Sequence, residues 1–414
     1  MAQNLSNADA ILKDLYVGPI IEELNQKTYC IDQIEKTSDH IEHTGRRAIV
    51  PVHKNRNRGR ASIADGGTLP TAGQQSWLDA IIPLRYHMQA IELSDASIEA
   101  SNSNEGAFLS VLEAETRGAA VDMRKDMNRQ VFGTGDGLLG TCGTTTAATL
   151  VVMGNSFDTQ YIKVGDNVDI LVKSSGATST GAVNTAVSAR DVTNHTITVA
   201  ATVTTDSTFG VYITGNRNQE MDGLRNMTNT GRTLHSIDST AGGNTFWDSN
   251  SISVGSSITA TAVAGESSFE QLFDNVGQSG NGDIEVFLTT RGIRRRLADT
   301  YQSQKRFNDA NIVKDGGYSA IMVNEVPVIL DDDCPKTFAF GFNKSALKWF
   351  EQVGPGWLEQ ANGSVFHLKN AGTGTWSASW QAYMRWYIAF ACTSPNRTGR
   401  LQYCTDDNPA TNVG

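Results

Sequence analysis

Residues 376–392 read WSASWQAYMRWYIAFAC, and this stretch decides the fold. Trp376, Ala378, Trp380, Ala382, Met384, Trp386, Ile388, Phe390 and Cys392 hold nine successive alternate positions, all apolar, with Ser377, Ser379, Gln381 and Arg385 between them. Side chains of an extended chain point alternately to opposite faces, so the pattern predicts one strand with one buried face, anchored by Trp376, Trp380, Trp386 and Phe390. Its 17 residues would reach ~55 Å at ~3.3 Å each, roughly twice or more the usual strand.

An element of matching length lies upstream. Phe108, Val111, Leu112, Ala119, Met123, Met127 and Val131 recur at spacings of three, four or seven, which predicts a helix over 104–132 with Ser103 or Asn104 as its N-cap. Phe108, Leu112, Met123 and Met127 are the expected packing face. The 29 residues would span ~43 Å, and the glycines of GTGDG at 133–137 would end the helix. A long helix lying across a long strand pair would make an elongated plate.

Before the helix, 48–52 and 75–93 are strand-like around a polar stretch rich in Arg, Asn, Gly and Thr. Pro51 and Pro83 each remove a ladder donor, confining these strands to an edge or a free-standing hairpin. A lone hairpin is marginal in water. Ile49, Val50, Trp77, Ile81 and Ile82 should therefore need another surface, expected to be another subunit. After the helix, residues 141–215 hold 17 Thr and only eight charged side chains, with strict alternation at Val168, Ile170, Val172, at Ile197 to Val203 and at Phe209, Val211, Ile213. That reads as an inserted all-β module at about Val151 to Gly215. From about Ser239 helices and strands mix, giving an α+β class overall.

Composition narrows the function. The 414 residues carry a net charge of −10, 39% hydrophobic and 19% charged residues, enough for real cores and unlike a disordered chain. The longest apolar run, Trp386 to Cys392, is seven residues, far short of the ~20 that span a bilayer, so no membrane partner is expected. Charged residues interrupt every apolar stretch of the first 30 positions, so no secretory signal is expected and folding in a reducing cytoplasm is. Cys30, Cys142, Cys334, Cys392 and Cys404 are odd in number and scattered, which reads as free thiols.

No reaction chemistry stands out, and no catalytic residue, cofactor or metal is expected. His40, His43 and His53 lack any HExxH or ligand set, and GTGDG follows a helix, where a dinucleotide loop would open one. Asp331-Asp332-Asp333 before Cys334-Pro335 reads as a polar turn ending a strand rather than a divalent-ion site. The sharper feature is basic: Arg46, Arg47, Lys54, Arg56, Arg58 and Arg60 lie in 15 residues, with no acid between Glu42 and Asp65. Together with Trp77 they are read as an intersubunit contact, against a solvated loop and, third, nucleic-acid binding, for which interleaved aromatics are absent. Arg291, Arg294, Arg295 and Arg296 read as a solvated helix face.

This order of parts resembles the major capsid proteins of tailed bacteriophages. The motifs RQVFGTGDGLLGT after the long helix, EMDGLRNMTNTGR leaving the β-module and FGFNKSALKWFE further on add to the resemblance. It implies an N-terminal arm at 1–47, an E-loop at 48–80, a peripheral domain with the spine helix at 81–150, the β-insertion at 151–215, a return to the peripheral domain at 216–239, an axial domain at 240–369 and long peripheral strands at 370–414. The implied function is an icosahedral shell around double-stranded DNA, in virions assembled in the host cytoplasm. Implied partners are other copies of the chain in hexamer and pentamer capsomers, a separate scaffolding protein, a portal, a decoration protein and loosely apposed DNA. Scaffolding is expected to be separate because only about 48 residues from Met1 precede the E-loop. Some members weld subunits through Lys–Asn isopeptide bonds; Lys54 and Asn396 could form such a pair, but no pattern sets them apart from ordinary surface residues. The competing class is a tail or baseplate protein, which would share the Thr-rich module without requiring the long helix and long strand.

Overall fold

The computed structural model describes residues 34, 36–37, 47–102, 111–178, 182–280, 282–304, 321–359, 364–372 and 375–407. Two compact units are present: a smaller one from the described parts of Ala90–Val121 and Leu358–Tyr383, and a larger one holding the rest from Lys27 onward. Arg46, Phe108 and the expected cap residues Ser103 and Asn104 lie outside the described residues.

After the short strand Lys36–Thr37 (β1), Arg47–Asn55 (β2) pairs antiparallel with Ser76–Pro83 (β3) as a two-stranded ladder. Its register puts Ala48, Val50 and Val52 on the same face as Ile82, Ala80 and Leu78. That face is covered by the chain itself: Ala48 and Ile82 pack against Phe350, Ala389 and Ala391. The Ile81 N–H also donates to the His235 carbonyl at 2.8 Å. The expectation of a free-standing hairpin is thus corrected for its base, because the smaller side chains of one face leave room for close packing on the sheet below. The opposite face, with Ile49 and Trp77, remains open.

Arg85–Ser94 (β4) leads to Asp95–Asn102 (α1), helical already ahead of the expected cap, and then comes Val111–Val131 (α2). In the larger unit Met123, Met127 and Val131 of α2 are buried in the main core with Trp247, Phe340, Trp349 and Phe390. Leu112 lies within α2.

Leu138–Thr141 (β5), Thr145–Val152 (β6), Asn167–Val172 (β7), Thr185–Asp191 (β8), Thr196–Thr205 (β9) and Phe209–Ile213 (β10) form one antiparallel sheet ordered β5-β10-β7-β8-β9-β6. A bridge between Cys142 and Met153, just beyond β5 and β6, joins the outermost strands. Inside lies a private core that includes Val151, Ile170, Ile197, Val199 and Val211. The module therefore begins at Leu138, upstream of the expected Val151. Its two connections are adjacent: the Asn218 N–H donates to the Asp136 carbonyl at 2.9 Å. A chain lacking 138–215, with Gly137 joined to Asn216, is expected to fold, since a module with its own core is separable. Circular dichroism and size-exclusion chromatography test this; a variant found only as aggregate at every temperature would make the module part of the main core.

The chain continues through Leu224–Met227 (α3), the strand pair Thr233–Leu234 (β11) and Ile237–Asp238 (β12), Asn250–Ser253 (β13), Glu266–Gly280 (α4), Val286–Thr289 (β14) and Arg291–Gln304 (α5). Met322–Val323 (β15), Val326–Leu330 (β16), Phe338–Phe342 (β17), Leu347–Trp357 (β18), His367–Gly372 (β19), Thr375–Cys392 (β20) and Thr398–Gln402 (β21) complete it. A mixed six-stranded sheet runs β13-β21-β17-β14-β16-β15. Phe269, Leu272 and Val276 of α4 and Ile293 and Leu297 of α5 recur at helical spacing and bury one core against it.

Within the larger unit β18 pairs antiparallel with β20 from Leu347↔Cys392 to Trp357↔Met384, setting Trp349 opposite Phe390. Met384, Trp386, Ile388 and Phe390 are all buried. In the smaller unit Ala382 is still buried, but toward the start of the strand the burial reverses. Ser379 is buried, whereas Trp376 is 66% exposed and Trp380 only partly covered. Trp376 and Trp380 are therefore not core anchors. Glu92 accounts for the reversal: it accepts from Ser379 Oγ at 3.1 Å and Gln381 Nε2 at 3.3 Å, and pairs with Lys369 at 2.7 Å, so the polar face is the covered one. Trp380 gives its indole N–H to Asp95 at 2.9 Å.

Candidate assembly interface

The loop joining β2 to β3 carries the basic residues. Asn57 Oδ1 accepts from the Gly59 N–H at 2.7 Å, and the two legs approach so closely at Gly59 and Gly73 that a Cβ on either would collide with the other. This places Arg56, Arg58 and Arg60 on an exposed loop held by backbone contact. Arg47 is exposed too, and Lys54, half-buried, lies over Gly243. Among the described residues the side chains of these five cations have no carboxylate partner. Beside them Trp77 is 60% exposed and packs on the His53 ring at 4.8 Å. Ile63 and Leu69, at 49% and 78% exposure, extend the apolar part of the same loop; they carry no periodic signal, so sequence reading did not single them out.

The arginines of α5 are divided. Arg291 holds Asp332 in a two-pronged pair at 2.6 and 2.8 Å, and Arg296 pairs with Asp407. Arg295 is exposed. The Asp triplet is a turn after β16, as its sequence suggests. Asn128 Nδ2 reaches Asp331 Oδ1 at 3.1 Å and Asp333 Oδ2 at 2.6 Å from α2. Among the described residues no group of three His, Cys, Asp or Glu side chains could hold a metal, and no helix is long and apolar enough to cross a membrane.

Two of the quoted motifs meet. Arg129 of RQVFGTGDGLLGT donates to Glu220 of EMDGLRNMTNTGR at 2.6 Å and to Asp126 at 2.9 Å. Glu220 is nearly sealed from solvent, whereas Asp126 is partly open. Burial pushes the Glu220 carboxyl above the usual range despite the Arg129 charge. Gly223 lies against Gln130 and Gly133, closing the two segments together around the module's stem. The cysteines Cys142, Cys334, Cys392 and Cys404 are buried. Burial holds the Cys142, Cys392 and Cys404 thiols up at about 12, which disfavours the thiolate form. Burial likewise keeps His87 and His235 neutral down to about 4.

What these residues form is an exposed loop carrying arginines beside uncovered apolar side chains. No protein-family model matches the sequence, and no curated protein sequence does. Solved structures do match. The chain is similar to the capsid subunit of cyanophage A-1(L) over 98% of its own length and 100% of the other, with a TM-score of 0.60 and 11% identity. The capsid of a native GTA particle matches over 98% and 100% of the two chains at a TM-score of 0.53 and 11% identity. The SrpI encapsulin of Synechococcus elongatus PCC 7942 matches over 99% of both, at a TM-score of 0.50 and 8% identity. The fold is therefore that of tailed-phage major capsid proteins, and it extends over nearly the whole chain.

Proposed function

We propose that this chain is a major capsid protein, assembling as many copies into an icosahedral shell that encloses double-stranded DNA in a virion put together in the host cytoplasm. The observation that carries the reading is the end-to-end match to the cyanophage capsid subunit. Physical chemistry supports it. A shell subunit needs no reactive groups; it needs surfaces that only neighbours can cover. Trp77, Ile63 and Leu69 beside Arg56, Arg58 and Arg60 make such a surface, and the acidic remainder of a second copy is its electrostatic complement. Net acidity also keeps packaged DNA from adhering to the wall. A separate scaffolding protein, a portal and a decoration protein belong to the same reading, with 48–80 as the E-loop and 240–369 as the axial domain.

Replacing Arg56, Arg58 and Arg60 together by Gln tests it. The loop loses little local structure, so the variant should fold with a native circular dichroism spectrum. Each solvent-shielded, charge-assisted contact is worth ~1.5 to 3 kcal/mol, and the loss repeats in every copy, so shell yield should collapse. Wild-type assembly should weaken as salt shortens the screening length from ~10 Å at 0.1 M to ~3 Å at 1 M. A normal shell yield from the variant would return the cluster to a solvated loop. Negative-stain microscopy and nuclease-protected DNA in the particles decide the class: tubes or rings would indicate a tail protein, and closed shells loaded with protein a compartment of the encapsulin kind.

A further inference from the structure

The loop after β16 sits where the long helix, the mixed sheet and the β-module meet. Hydrogen bonds fasten the module to it: Tyr161 Oη donates to the Asp333 carbonyl at 2.7 Å, Gln160 Nε2 to the Cys334 carbonyl at 3.1 Å, and the Lys336 N–H to Gln160 Oε1 at 3.4 Å. From the helix a single amide, Asn128 Nδ2, serves both Asp331 and Asp333. All three side chains are buried: Asn128 is 0%, Asp331 2% and Asp333 7% exposed. Asp331 Oδ1 also accepts from the Asp333 N–H at 3.0 Å. Two oxygens of the cluster, Asp331 Oδ2 and Asn128 Oδ1, are buried with no hydrogen-bond partner among the described residues.

Charged as ordinary carboxylates, the two aspartates would place two negative charges in this joint. No cation is hydrogen-bonded to either among the described residues. The titratable and charged neighbours are engaged elsewhere or stand off. Asp332 is held by Arg291, and Arg129 is held by Glu220 and Asp126. Cys334 and Lys336 follow on the same loop, and Tyr161 and Lys163 face the pair from the module. Burial raises the Asp333 carboxyl too, while the Asn128 amide and, through space, Lys163 and Arg129 work against that rise. Asp331 is the member with the unmet oxygen, and a proton there turns an acceptor without a partner into a donor while removing one of the two charges. We propose that Asp331 carries a proton in the folded chain and that this proton fastens the loop between the long helix and the β-module, so that the joint tightens in acid and loosens toward neutral pH.

Burial first, and Asp333 second, push the Asp331 carboxyl up to about 7. An unfolded aspartate titrates near ~3.9. The folded form thus holds a proton that the unfolded form has lost, and the stabilisation is complete below ~3.9 and gone once pH has risen through about 7.

Denaturation of the full chain at pH values from about 4 to about 8 tests this against Asp331→Asn, which cannot ionise. Relative to the variant, the wild-type folding constant should fall by up to about tenfold per pH unit up to pH ~7 and then run parallel. Parallel profiles throughout would overturn the proposal. Should Asp331→Asn not fold, wild-type amide exchange decides: protection of 160–163 and 331–336, corrected for intrinsic rate, should decline over that window, and constant protection there would equally overturn it.

Discussion

Replacing Arg129 by Leu should cost about 3 to 5 kcal/mol at neutral pH, because breaking a buried ion pair leaves its partner charge without compensation. Glu220 is that partner: nearly sealed from solvent, it would keep, among the described residues, only Asn216 at 3.4 Å. Its carboxyl, already raised by burial, would rise further. The folded variant would therefore bind a proton that the unfolded chain gives up near ~4.3. The penalty should be full at pH 7 and shrink as the pH falls toward that value. Urea midpoints of the single variant across pH, and of Arg129→Leu with Glu220→Leu, check this. The double variant should recover much of the loss, since two apolar groups replace the pair. Equal losses in both would mean that Arg129 acts by packing alone.

Phe390→Ala should be of similar size, about 3 to 5 kcal/mol, out of a total that for ordinary domains is ~5 to 15. The ring is 1% exposed and lies 4.7 Å from Trp349, its direct partner across the β18–β20 ladder, so the deletion opens a cavity where two strands and the long helix converge. Trp376→Ala, on the same strand and with the same alternation, should stay within ~0.5 kcal/mol for the unassembled chain. Thermal or urea denaturation of the two variants side by side settles the matter: an equal loss at Trp376 would return it to the core.

That contrast marks the division between what was legible in the residues and what was not. The alternation of 382–392, the period of Met123, Met127 and Val131, and the Thr-rich runs were each sufficient to assign strand, helix and β-module, because period 2 and period 3.6 follow from local backbone geometry. The order of those parts along the chain was sufficient for the capsid fold. Local geometry does not say which face is covered, or by what. Trp376 alternates as Trp386 does, yet Glu92, 284 positions before it, arrives on the other side and makes the serine face the buried one. The module's start at Leu138 was hidden because β6 slips register against β9 around Ala147, whose φ of 45° breaks the alternation that a reader would count. Asn128 looks like any polar residue on a helix until the loop after β16 closes over it. The sequence by itself determined the elements and their order, through backbone periodicity; the tertiary structure alone decided the covered faces and the buried Arg129–Glu220 and Asn128–Asp331–Asp333 contacts, which need partners about 90 to 200 positions apart to meet.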